Sequence, residues 1–336
     1  MFEGCSVDVY AMPEGSVFYH NDRHGIREPV MFIEGPYGDF CTLETPLLGL
    51  ICQASGAATA AARIKKIARE KRVVAFGIRR MHPALCPMLD RAAYVGGFDG
   101  VSSLKGAETV GVEPSGTMPH ALIVAFEDQV TAWKAFDEVM PSDVPRIALV
   151  DTYFDEKIEA IMAADALKGR LDGVRLDTPG SRKGDFAEII REVRWELDIR
   201  GFRQVKIFVS GGLNEESVRV LSEAGADAFG VGTSVSNAPT LNFALDIIDL
   251  EGKLVAKRGK LGGKKQVWRC PKCLTDTVLP SKAPSPKCAE CKGKTEPMLK
   301  PLVKDGKIVA ELAKPKAIRE YVLEQVKSLS LESAVS

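Results

Sequence analysis

The sequence predicts an α/β fold whose parallel sheet closes into a barrel, and three observations carry this. From Val73 to Thr233, apolar β-branched strands alternate with stretches of helical periodicity, the rhythm of strands joined by helical crossovers. Two strands in direct succession end in Gly-rich turns, Ser210-Gly211-Gly212 and Gly230-Val231-Gly232-Thr233. Polar residues gather just after the strands, where barrel active sites are built: Arg79, Arg80 and His82; Asp151; Arg175, Asp177 and Thr178; Ser210. So many units in one array favour closure over an open sheet.

Taken in order, residues 1–45 read as mostly β. VDVYAM, SVFYH, PVMFIEG and DFCTLE are short, aromatic or β-branched, and bounded by Pro and Gly. Thr45 to Ala68 reads as a helix with an Ala-rich middle. VVAFGI is a strand interrupted by Gly77, Pro87 to Gly96 a helix, Gly100 to Leu104 a short strand, and Pro119 to Met140 contains helix. Arg146 to Val150 is a strand, Asp155 to Leu167 a helix, and Gly173 to Leu176 a strand. Phe186, Ile189, Ile190, Val193 and Leu197 recur at helical spacing, with Asp185 and Glu188 placed for a capping start. Val205 to Val209 is a buried strand. Asn214 then caps a helix with Glu215 and Glu216 in its first turn, Val218, Leu221 and Ala224 as its buried stripe and Gly225 at its end. Ala228 to Val231 is the next strand. Pro315 to Leu331 is a final amphipathic helix. Three regions follow: an N-terminal α+β segment over 1–70, the barrel over 71–245, and a C-terminal segment over 246–336.

The formal net charge of zero, 45 Lys+Arg against 45 Asp+Glu, hides a split. Residues 251–307 hold 15 basic and 5 acidic residues, a net of +10, so the remainder, 30 against 40, carries −10. A basic module on an acidic body fits nucleic-acid binding, or a solvated Lys-rich surface around a metal site, which is the plainer reading. No basic region followed by an apolar core opens the chain, and no apolar run of the ~18 residues a span needs is read. The expectation is a cytoplasmic protein with neither membrane nor nucleic-acid partner.

Of eight cysteines, Cys5, Cys41, Cys52 and Cys86 are scattered and read as free thiols. Cys270, Cys273, Cys288 and Cys291 form CxxC–x14–CxxC. Two thiolates on one turn suit one tetrahedral ion, and two such knuckles close its shell, which predicts structural Zn²⁺ in a module over 268–303. The paired Gly turns offer backbone N–H groups to a phosphate.

The segments FGIRRMHPALCPMLDRAAYVGGFDGVSSL, GTMPHAL, LVDTY, VRLDTPGSR, VSGGLNEESV and FGVGTSVSNAP, in that order, resemble nicotinate phosphoribosyltransferase, in particular archaeal-type members with a four-cysteine zinc knuckle. The resemblance implies a type II phosphoribosyltransferase α/β barrel, with a second α+β domain made from the N- and C-terminal segments. It implies the reaction of nicotinate with phosphoribosyl pyrophosphate to nicotinate mononucleotide and pyrophosphate, coupled to ATP hydrolysis in many members, with Mg²⁺. Gly211, Gly212, Gly230, Gly232 and Thr233 then hold the 5′-phosphate, with Ser210 and Thr178 beside them. Arg79 and Arg80 face the pyrophosphate, and Arg175 the nicotinate carboxylate. Asp151 and Asp177 hold ribose hydroxyls or Mg²⁺ and stabilise charge at the anomeric carbon. His120 matches the histidine phosphorylated during ATP coupling. His82 is a weaker phosphate candidate; His20 and His24 read as solvated.

The resemblance also implies several tens of residues ahead of the Tyr10–Gly15 stretch, bearing an aromatic that stacks on the pyridine, often from a partner subunit. Tyr10 and Tyr19 are not obvious replacements. A homo-oligomer, a dimer or a multiple of dimers, is implied by the family alone. Two alternatives stand beside this reading. Quinolinate phosphoribosyltransferase shares the fold but needs cations for a second carboxylate and matches GTMPHAL and FGIRRMH poorly. A zinc-ribbon nucleic-acid binder with a degenerate barrel conflicts with the intact set of strand-end polar residues.

Overall fold

The computed structural model describes residues 1–329. The chain divides into two units, one formed by 1–56 with 240–336 and the other by 57–239. In the first unit β1 (Asp8–Ala11) pairs antiparallel with β2 (Met31–Glu34). A single turn, α1 (Tyr37–Phe40), and a 3-10 turn then run into α2 (Glu44–Ala68), which crosses into the second unit.

Two of the stretches read as β are not strands. SVFYH stays irregular because side chains take its backbone donors: Val17 N–H goes to Gln325 Oε1 (3.0 Å) and Tyr19 N–H to Glu28 Oε2 (3.0 Å). DFCTLE is helical, its acids Asp39 and Glu44 standing in first turns, where the helix dipole favours them. The 32 residues of Tyr37–Ala68 are, by length and composition, long and apolar enough to cross a membrane, contrary to the sequence reading. The run is Ala-, Gly- and Leu-rich without being a continuous block of large hydrophobes. Its second half buries Ala57, Ala61, Ile64 and Ala68 in the barrel core.

The second unit is the β/α array. Its elements are β3 (Arg72–Ala75), α3 (Cys86–Val95), β4 (Gly100–Val101), α4 (Leu104–Val110), α5 (His120–Phe126), α6 (Gln129–Val139), β5 (Ile147–Leu149), α7 (Glu156–Leu167), β6 (Gly173–Leu176), α8 (Phe186–Ile199), β7 (Lys206–Ser210), α9 (Glu215–Ala224), β8 (Ala228–Val231) and the single turn α10 (Thr233–Ser236). The strands form one parallel sheet in the order β4-β3-β8-β7-β6-β5. Its ladder ends at β4 and β5, so the barrel has one seam without strand pairing. Between those strands the chain runs α4, α5 and α6, and the fully buried Trp133 of α6 donates its indole N–H to Leu149 O at 3.2 Å. The strand read over Gly100–Leu104 stops at Val101, because Ser103 caps α4 through Gly106 N–H. The predicted N-caps Asp185 and Asn214 accept the N3 amide of their helices, Asp155, read as the first helical residue, does the same for α7, and Gly225 closes α9 at φ +111°.

The chain returns to the first unit through two short paired strands, β9 (Asp249–Leu250) and β10 (Lys253–Leu254). Next come β11 (Lys265–Arg269), β12 (Asp276–Pro280) and β13 (Glu296–Pro297), a sheet ordered β12-β11-β13 around the cysteine cluster. β14 (Lys300–Lys304) adds to β1 and β15 (Lys307–Ile308) to β14, giving the order β15-β14-β1-β2 from both ends of the chain. α11 (Pro315–Ser328) closes the description; Leu331, where the sequence put its end, lies outside the described residues.

Candidate active site and metal centre

The carboxyl ends of β5, β6 and β7 bring four of the predicted residues together. Asp151 follows β5, Arg175 and Asp177 lie two apart on and after β6, and Ser210 ends β7. The period of two puts Arg175 and Asp177 on one face. Arg175, 5% exposed, pairs with Asp177 Oδ2 (3.2 Å) and donates to Ser210 Oγ (3.0 Å) and Met118 O (2.7 Å). Ser210 Oγ donates in turn to Asp177 Oδ1 at 2.7 Å. Asp151 Oδ2 accepts from the Asp177 amide (2.7 Å) and the Thr178 hydroxyl (3.2 Å).

His120 opens α5 and reaches the same place. Its Nε2 stands 3.7 Å from Asp151 Oδ1 and 3.8 Å from Asp177 Oδ2, and its Nδ1 is 3.1 Å from Thr152 Oγ1. Asp151 Oδ1 is buried and has no hydrogen-bond partner among the described residues. Burial pushes the Asp151 carboxyl above its ordinary range, against the pull of nearby His120. Such an oxygen suits a proton, a cation or a hydroxyl brought by a ligand.

The other predicted residues are placed differently. Gly211 (φ +92°) and Gly212 (φ +68°) form the turn after β7, and a Cβ on Gly211 would lie 3.2 Å from Asp177 Oδ1. Gly230 is not in a turn. It lies inside β8, paired with Val74 and Ser210, and a Cβ there would sit 2.4 Å from the Phe76 ring, so close packing demands glycine. Gly232 starts α10, its carbonyl accepting the Val235 and Ser236 amides, and Thr233 is exposed beside it. Thr178 is buried and turned inward to Asp151 and Glu156. Arg79 and Arg80 are exposed on the 3-10 turn after β3, and neither guanidinium has an ion-pair partner among the described residues. His82 caps the following turn through Nδ1 (Ala84 N–H, 3.2 Å).

Sequence reasoning missed Lys183, Thr152 and Glu159. The Lys183 ammonium donates to Gly211 O and lies 4.9 Å from the Phe186 ring centre. Burial lowers its pKa while Asp177 opposes this. Glu159, fully buried on α7, accepts the amides of Thr152, Tyr153 and Phe154.

The four clustered cysteines form a separate centre. Their Sγ atoms all lie within 4.8 Å of one another, and Cys270 and Cys291 are 3.6 Å apart. A tetrahedral Zn–S distance of about 2.3 Å requires S···S near 3.8 Å, so this donor set fits zinc. The two knuckles are built alike: Leu274 N–H bonds Cys270 O and Lys292 N–H bonds Cys288 O, with Leu274 and Lys292 both left-handed (φ +55° and +59°).

Comparison with known proteins gives the family of the chain. The family model described as quinolinate phosphoribosyl transferase, C-terminal domain, matches residues 57–246, and the corresponding N-terminal domain matches 1–55. The chain belongs to the quinolinate phosphoribosyl transferase family. Within that family its curated relatives carry the name nicotinate phosphoribosyltransferase. One from Mycobacterium tuberculosis is 36% identical over 280 residues, covering 78% of this chain and 57% of the relative. One from Bacillus subtilis is 32% identical, covering 77% and 54%. The chain thus spans a little over half the length of the curated relatives it matches. A crystal structure of nicotinate-nucleotide pyrophosphorylase from Pyrococcus furiosus superposes with TM-score 0.94 at 55% identity, over 98% of this chain and 83% of that one. Human nicotinic acid phosphoribosyltransferase shares the family fold, with TM-score 0.70 at 22% identity over 98% and 78%.

Proposed function

We propose that the chain is a nicotinate phosphoribosyltransferase, joining nicotinate and phosphoribosyl pyrophosphate to nicotinate mononucleotide and pyrophosphate. The observation that carries this is the Arg175–Asp177–Ser210 cluster with His120 and Asp151 beside it, at strand ends of a family barrel whose curated relatives bear that name. In this reading Arg175 meets the nicotinate carboxylate, the one anionic group of the acceptor. Gly211 and Gly212 receive the 5′-phosphate on backbone amides, with Lys183 adjacent. The exposed Arg79 and Arg80 reach the pyrophosphate. Bond cleavage at the anomeric carbon builds positive charge on the ribose, and Asp151 and Asp177 stabilise it.

Asp151 and Asp177 also offer the oxygen donors a hard cation takes, and the unpartnered Asp151 Oδ1 fits one. Mg²⁺ held there supplies charge neutralisation for the pyrophosphate. His120, its side chain 39% exposed, is the acceptor of a phosphoryl group from ATP. Zn²⁺ on the four thiolates is structural, since no ligand position remains open. The protein works in NAD biosynthesis, in the cytoplasm, as a homo-oligomer.

The test is product analysis with Mg²⁺, with and without ATP, offering nicotinate or quinolinate with phosphoribosyl pyrophosphate. The reading requires mononucleotide from nicotinate. Turnover of quinolinate with CO₂ release and none of nicotinate overturns it.

A further inference from the structure

The loop after β5 carries a device that the reaction scheme above leaves unused. Three successive backbone amides, of Thr152 (3.1 Å), Tyr153 (2.7 Å) and Phe154 (2.9 Å), converge on the carboxylate of Glu159. Glu159 is fully buried and has no ion-pair partner among the described residues. Among the described residues its carboxylate is met by these three peptide N–H groups, which makes a rigid anchor of hydrogen bonds. The anchored loop starts at Asp151 and Thr152. Thr152 Oγ1 has one hydrogen-bond partner among the described residues, His120 Nδ1 at 3.1 Å. The opposite ring nitrogen faces two carboxylates, Asp151 Oδ1 at 3.7 Å and Asp177 Oδ2 at 3.8 Å.

This settles the ring chemically. Two anionic oxygens beside Nε2 favour a proton on Nε2 in the neutral imidazole, so Nδ1 bears the lone pair and the Thr152 hydroxyl donates to it. Loss of that hydroxyl frees the ring to rotate about Cβ–Cγ and to exchange tautomers.

We infer that Thr152 and Glu159 are positioning residues for His120: Glu159 fixes the loop, and Thr152 fixes the tautomer and aim of the imidazole, keeping Nε2 and its proton against the Asp151 and Asp177 carboxylates, one of which takes that proton before Nε2 accepts a phosphoryl group. The inference rests on His120 being the reacting ring of the proposed enzyme, but its first test does not. Long-range ¹H–¹⁵N NMR of the full chain reads the His120 tautomer directly. The neutral wild-type ring shows the Nε2–H form; Thr152→Val gives a tautomer mixture, and Thr152→Ser restores the wild-type pattern. An unchanged pattern in Thr152→Val overturns the inference, whether or not the protein turns over nicotinate.

The second test uses ATP-stimulated synthesis. Thr152→Val lowers kcat about 5- to 10-fold, the worth of one neutral hydrogen bond, with KM for phosphoribosyl pyrophosphate unchanged and Thr152→Ser near wild type. Glu159→Gln replaces an acceptor oxygen by an amide that cannot accept, and it lowers kcat in the same way. Because Glu159 acts through Thr152, the double variant is no slower than Glu159→Gln alone. Additive losses overturn the order of action. If Glu159→Gln does not fold, the Thr152 pair carries the test. A wild-type chain inactive on nicotinate but with the stated NMR pattern rejects the proposed reaction and leaves the positioning role standing.

Discussion

Arg175 Nη1 lies 3.2 Å from Asp177 Oδ2, two residues further along the same strand end, and Ser210 bridges the pair from β7. A buried guanidinium locked in this way is held in one orientation before any ligand arrives. Pre-positioned charge is what selective binding of a planar carboxylate needs. Arg175→Ala should therefore raise KM for nicotinate by at least about 30-fold, roughly 2 kcal/mol for a buried charged hydrogen bond. KM for phosphoribosyl pyrophosphate should move much less. Initial-rate kinetics with each substrate varied checks this, and equal effects on both remove the assignment.

The turn at Gly211 makes an opposite prediction. Its φ of +92° is unfavourable for any residue with a Cβ, and that Cβ would press on Asp177 Oδ1 at 3.2 Å. Gly211→Ala should weaken phosphoribosyl pyrophosphate on the order of 10-fold, for strain of about 1–3 kcal/mol, and leave nicotinate binding near normal. Isothermal titration with each ligand separates the two. Ligand-independent loss of the fold, seen as a collapsed Tm, would assign the glycine to packing alone, as the Phe76 ring already does for Gly230.

His120 gives the third. With Nε2 between Asp151 and Asp177 and the ring open to solvent on one side, it can reach a nucleotide phosphate. His120→Ala should abolish ATP hydrolysis and leave slow, uncoupled synthesis. Phosphate release and mononucleotide formation measured in parallel decide it, because an unchanged ATPase rejects a phosphorylated His120.

Much of this site was legible in the sequence, for a definite reason. Asp151, Arg175, Asp177 and Ser210 stand at or within two residues of a strand end, so the alternation that fixes the strands also fixes their side of the barrel. His120 came only from its motif, since nothing local says that the start of α5 reaches β5 and β6. Lys183 was missed because it sits in an aperiodic loop beyond β6, whose return toward Gly211 no local pattern encodes. Glu159 looked like an ordinary acid in the first turn of a helix, where the dipole alone accounts for it. Gly230 was misassigned because a glycine forced by a neighbouring ring has the same signature as one in a turn. In the first unit, SVFYH has strand composition, but Gln325 and Glu28 capture its donors, partners that periodicity cannot name.

The four-cysteine cluster makes a prediction about stability. The segment around it has a small core cluster of Val267, Val278 and Met298, with Met12 and Ile26 packed against it. So little apolar surface holds such a segment weakly, and in the proposed reading an ion on the four thiolates substitutes for a core. Metal analysis should give one zinc per chain, and Cys288→Ser or a strong chelator should lower Tm by many degrees. At temperatures below the new transition the kcat of synthesis should persist. Inactivation with Tm unchanged would contradict a structural role.

Glu28 supplies a pH test in the same unit. Its Oε1 is buried without a hydrogen-bond partner among the described residues, and burial together with the nearby Asp276 carboxylate pushes its pKa from 4.5 up to about 8. Asp276 is itself held by Arg269 (Nε–Oδ1 2.8 Å), so Glu28 is the member of the pair that keeps the proton. An acid whose folded pKa is raised stabilises the fold fully below its unfolded pKa and loses that contribution as pH climbs through the folded one. Tm should therefore fall by several degrees between about pH 5 and 8.5 in the wild type. Glu28→Gln keeps a donor at every pH and should flatten that slope. Zinc binding acts with the opposite sign, because thiolates gain affinity as pH rises, so the difference between the two proteins isolates Glu28. Parallel Tm–pH curves for wild type and Glu28→Gln would mean that Glu28 is ionised in the fold.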